Sequence, residues 1–148
     1  MIALLLALAA ADPPKQQPKP LASIDGLPIA GLPRQSLPTQ GCAAYLFSGG
    51  KTRALVAVAS AEPATLRIAL DGMAADYGRG SQTGTAGFGF ASTTEYRAGD
   101  VTATLDFTVQ SRRDLSQGAI VHSGTLRIDR PGRDTIVIPV GGLIGCAA

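Results

Sequence analysis

Residues 101–110 read VTATLDFTVQ, and their period is two. Val101, Ala103, Leu105, Phe107 and Val109 fall on one side; Thr102, Thr104, Asp106, Thr108 and Gln110 fall on the other. Successive strand residues point to opposite faces, so this spacing predicts a strand with one buried and one wetted face. ATLRIALD, residues 64–71, repeats the pattern, with Leu66, Ile68 and Leu70 opposite Thr65, Arg67 and Ala69. No segment carries a long 3.6-residue apolar period. The chain therefore reads as all-β.

Turn signals place further strands around these two. CAAYLFS (42–48) and TRALVAVAS (52–60) flank Gly49-Gly50, a hairpin signal. GTLRID (124–129) and DTIVIPV (134–140) flank Arg130-Pro131-Gly132-Arg133, where Pro then Gly suits a type II turn. Pro139 predicts an edge strand, or pairing on one side only at that point. Asp71-Gly72 reads as a turn into a short strand near 73–79, and Phe88-Gly89-Phe90 as a piece of another. The Gly/Ser/Thr-rich stretch 78–87 between them reads as a mobile loop. The sum is seven to eight short strands in an antiparallel β-sandwich or small barrel.

The only cysteines, Cys42 and Cys146, each open a Cys-Ala-Ala preceded by Gly. One begins the first predicted core strand and the other lies two residues before the C-terminus. Two cysteines in an exported chain most often pair. The pairing predicts adjacent terminal strands, with Cα atoms about 4.4–6.8 Å apart. Gly41 and Gly145 are read as room for that close approach. No C-x-x-C spacing supports a redox pair. His122 is the only histidine, so a two-Cys metal site lacks ligands, and no metal or cofactor is expected.

Residues 1–11, MIALLLALAAA, are apolar throughout and end in small residues before Asp12. They read as a secretory signal peptide, short for its class and without a leading Lys or Arg. Ten apolar residues span only about 15 Å as a helix, too little to cross a bilayer, so no membrane span is expected after cleavage. Periplasmic or secreted localisation follows. Residues 12–40 hold seven of the ten prolines and a five-residue Leu-Pro echo at 27–28, 32–33 and 37–38. They read as an extended linker lying partly against the domain, neither helix nor sheet. The remainder, 41–148, is taken as one β domain.

Aromatics are few, with no Trp, four Phe and three Tyr, so the core must be aliphatic. From residue 41 onward Lys51 and nine Arg face seven Asp and two Glu, an excess of one positive charge. That balance offers no field for nucleic acid.

Catalytic signals are weak. Gly50-Lys51-Thr52 resembles the tail of a phosphate-binding loop, but position 45 is Tyr and a strand, not a helix, follows. His122-Ser123 sits in a strand, where neighbours diverge and form no dyad. An enzyme built on His122 needs a carboxylate or hydroxyl from another strand within about 3.2 Å. The expectation is a non-enzymatic exported domain with a binding or structural role, its partner an unknown protein or envelope component. An inhibitor-like protein acting on an envelope or extracellular hydrolase through 78–87 is the alternative, and the Leu-Pro repeat as a docking arm is a third reading. Tyr77, Arg79 and Gln82 are the candidate contact residues.

Overall fold

A computed structural model describes residues 11–14 and 18–148; the expected signal peptide lies almost entirely outside the described residues. Nine strands follow in order: β1 (Ile29–Ala30), β2 (Cys42–Ser48), β3 (Leu55–Ala61), β4 (Ala64–Leu70), β5 (Met73–Thr83), β6 (Thr93–Ala98), β7 (Val101–Gln110), β8 (Gly118–Asp129) and β9 (Ile136–Cys146). From β2 to β9 each strand pairs antiparallel with the next, and β9 returns to pair with β2. The alternative of sandwich or barrel resolves to an eight-stranded up-and-down barrel with β1 as an addition. Closure removes the free edges of an open sheet.

The alternation read from the sequence decides what lies inside. Leu105 pairs with Leu126, Ala103 with Ile128, and Ala59 with Leu66. With Leu46, Ile68, Tyr96, Val121, Ile138 and Ile144 they form one largely aliphatic core. Eight strands leave a bore that side chains of this size fill. Each full-sized aliphatic contributes roughly 1.5–3 kcal/mol on burial.

Turns sit largely where the residues require. Asp71 and Gly72 both have positive φ, 52° and 81°, as a two-residue type I′ hairpin demands. Gly132 has φ 67°, and Arg133 N–H donates to the Arg130 carbonyl at 3.3 Å, closing the turn at Pro131-Gly132. Pro139 pairs with Thr125 of β8, while the β2 ladder stops at Val140. The missing donor therefore faces no strand.

Cys42 and Cys146 are bonded and stand directly opposite each other in the β2–β9 ladder. Their Cα atoms are 3.9 Å apart, closer than expected from sequence, because the two residues are cross-strand partners. The neighbouring glycines serve differently from the expectation. A Cβ on Gly145 would meet only ordinary contacts, and Gly41 is needed for its φ of 63° at the turn into β2.

Three further expectations change. Residues 78–83 are strand rather than loop: they continue β5 and pair with β6 through Thr83↔Thr93. The loop starts at Gly84. Phe88-Gly89-Phe90 is not a strand, because Gly87, Phe88 and Gly89 all have positive φ and fold the chain back so that Gly87 bridges Phe90. Phe90 then packs edge-on against Phe107, centroids 5.6 Å apart, as part of the core. Lastly, part of the Pro-rich segment is integral to the sheet. The β3–β4 ladder stops at Val58↔Arg67, and β1 takes the vacated side of β4 through Ile29↔Leu70 and Ala30↔Ala69. Leu32 N–H bonds the Leu55 carbonyl, so the segment fills the cleft between the diverging strands. Ile24 and Ile29 are fully buried there. In the Leu-Pro echo Leu32 is buried, while Leu37 is 76% exposed.

Candidate functional site

The candidate contact residues from the sequence, Tyr77, Arg79 and Gln82, all lie on β5 but do not act together. Tyr77 faces the core and is buried. Burial pushes its hydroxyl up from the usual phenol range; the Arg130 charge opposes that rise and the Asp71 charge adds to it. Arg79 and Gln82 lie beyond the last β4–β5 pair, Thr65↔Gly78. From Arg79 to Thr83 the strand pairs with β6 alone and is exposed on both faces. Arg79 Nη1 donates to Gln82 Oε1 at 3.2 Å. The reason is length: β5 has eleven residues and β4 only seven. The excess projects from the disulfide end as a ribbon with an open backbone edge.

A bulge interrupts this ribbon between Arg79 and Ser81. Bulges and charged side chains are the usual guards of an exposed edge against indiscriminate pairing. Arg79 is the partner of Tyr96 across the ladder. Tyr96 is buried, and its hydroxyl is raised chiefly by burial, with a Thr94 hydrogen bond and the Arg79 charge opposing.

His122 occupies a second bulge. Val109 pairs with Val121 and Thr108 with Ser123, so His122 is the extra residue of β8. His122 and Ser123 are consequently both exposed, instead of alternating as in a regular strand. Among the described residues no side chain hydrogen-bonds or ion-pairs with His122, so the carboxylate or hydroxyl that a His122-based site requires is not in place. Lys51 and Thr52 lie in the β2–β3 loop, where the Asp25 carboxylate accepts from the Thr52 amide at 3.4 Å. No group of three or more His, Cys, Asp or Glu suited to a metal occurs among the described residues. Nor is any described helix long and apolar enough to cross a membrane.

Residues 33–38 form a strap across the outer wall of β2 to β5. Tyr45 hydroxyl donates to the Ser36 carbonyl at 2.9 Å, and Arg67 Nη1 to Gln35 Oε1 at 2.6 Å. Arg67 also grips Asp76 with two bonds, 2.7 and 3.0 Å. A cavity of about 380 Å³ lies between strap and wall. The Arg67 hydrogen bond holds the Asp76 carboxyl below the usual carboxylate range. A depressed folded value contributes stability above the unfolded value, about pH 4, and loses it as pH falls through the folded one. Asp76→Asn is therefore expected to cost about 0.2–1 kcal/mol at pH 7, the range for a half-exposed pair, and less near pH 2. Urea unfolding at both pH values checks this; an equal difference at both would refute it.

The ion pair that spacing did not anticipate is Arg130–Asp71. From the sequence Arg130 reads as the first residue of the turn to Arg133. Instead its side chain folds into the barrel end and bonds Asp71 Oδ2 through Nη1 at 2.5 Å, 59 residues away in sequence.

Compared with known protein families, curated proteins and solved structures, the chain matches none.

Proposed function

We propose that the protein is an exported, non-enzymatic binding domain that engages an extended segment of a partner protein along the open edge of β5, residues 79–83. The observation that carries this reading is the five-residue projection of β5 beyond β4, exposed on both faces within an otherwise closed barrel. An extended segment adds to such an edge by backbone hydrogen bonds, with side chains giving selectivity. The guarding bulge and Arg79 restrict which segments fit. The disulfide supports an oxidising compartment, and the apolar run at residues 1–11 supports export to it. The two together support a periplasmic or secreted location.

Proline tests the edge, because it removes one backbone donor. Of Ser81 and Gln82, consecutive strand residues, one directs its N–H away from β6. Ser81→Pro and Gln82→Pro are made separately and used as bait in envelope extract beside the parent protein. One variant should lose the specific partner while keeping the parent's melting temperature. Full partner recovery by both variants would overturn the strand-addition reading.

A further inference from the structure

The end of the barrel opposite the disulfide carries the β4–β5, β6–β7 and β8–β9 turns. A cavity of about 460 Å³ opens between them, within the usual range for a small-molecule site. Leu70, Met73, Ala75 and Val101 give it apolar walls, and Arg130 forms its polar floor. The Arg130 side chain is only 11% exposed. Its Nη1 is bonded to Asp71, but its Nε is buried without a hydrogen-bond partner. Nε and Nη2 form the side fork of a guanidinium, the edge that a carboxylate binds with two parallel bonds. Among the described residues that fork has no acceptor. A buried donor left unbonded is destabilising, and a native one calls for a reason.

We propose that this mouth binds a monocarboxylate bearing a short apolar chain, with the carboxylate paired to the Arg130 guanidinium and reaching the buried Nε as the rim side chains part, and the chain against Leu70, Met73 and Val101. The rim charges set the valence. Arg130 and Arg133 face Asp71 and Asp100, a balanced set that accepts one added negative charge more readily than two. Met73, 75% exposed, is a flexible apolar side chain placed where a chain would enter. The site is independent of the β5 edge, which lies at the other end of the barrel.

Octanoate, octanol and octyl phosphate are the probes, each titrated into the protein by calorimetry, with the Arg130 Nε–H resonance followed by NMR. Octanoate should bind and shift that resonance; octanol and octyl phosphate should bind at least 10-fold more weakly. Arg130→Gln should weaken octanoate at least 10-fold. Asp71→Asn should tighten it several-fold, because it removes a competing negative charge beside the guanidinium. Asn also tolerates the positive φ of 52° at this turn, so that variant keeps the test valid if Arg130→Gln misfolds. An unmoved Nε resonance, octanol binding equal to octanoate, tighter octyl phosphate, or weaker octanoate binding by Asp71→Asn would each overturn the proposal.

Discussion

Replacing Cys42 and Cys146 together with alanine is expected to cost about 2–5 kcal/mol of folding stability, the usual range for a native disulfide. The bond closes a loop with a sequence separation of 104 residues, so it removes much conformational freedom from the unfolded chain. Its position adds to the effect. It lies at the end of the β2–β9 ladder, which is where the first and last barrel strands meet. Every other neighbouring pair in the barrel is joined by a turn, whereas this seam is held by side chains, hydrogen bonds and one disulfide. Loss at the seam leaves an open sheet of the same strands. Guanidinium unfolding of the parent and the double variant measures the difference. A midpoint shift equivalent to under 1 kcal/mol would mean that the ladder alone closes the barrel. Thiol titration of the native protein should find no free cysteine.

Gly142→Ala is expected to cost about 2–4 kcal/mol, the upper range for overpacking a close backbone contact. Gly142 lies opposite Leu46 in the same seam. A Cβ there would overlap the Tyr45 carbonyl oxygen and crowd the Leu46 Cα. Both are backbone, so no side chain can turn aside; β2 and β9 must separate. Gly145→Ala is the control, because its Cβ would lie 3.9 Å from the Tyr45 ring and 4.0 Å from Leu37. It should change stability by less than about 1 kcal/mol, as substitutions away from close contacts do. Equal losses in the two variants would show that glycine flexibility, not the backbone approach, governs the seam.

How much was legible in the sequence follows from the range over which each signal acts. Alternation in 64–70 and 101–110 places side chains on two faces through backbone geometry alone, and both segments are strands with those faces, except that Ala69, on the outward side, is buried against Ala30 and Leu32 of the Pro-rich segment. Asp71-Gly72 and Pro131-Gly132 specify turns by their own φ preferences. The disulfide was expected from the presence of two cysteines and an apolar run at residues 1–11 that suggested export. The open edge at 79–83 was not legible. Its Gly, Ser, Gln and Thr residues are common in loops, and their strand state comes from pairing with β6. The state of Ile29–Ala30 depends likewise on β3 leaving β4. Arg130 lay in a turn whose sequence points to no distant partner, and only closure brought Asp71 within reach.

By itself the sequence determined the strand class, the inward and outward faces, the principal hairpin turns and the covalent link, because each depends on a few neighbouring residues or on cysteine chemistry. The tertiary structure alone decided that the sheet closes, that β5 outruns β4, and that Arg130 turns inward with half its guanidinium unbonded. Those features depend on the relative lengths and divergence of strands far apart in the chain, and no local preference encodes them.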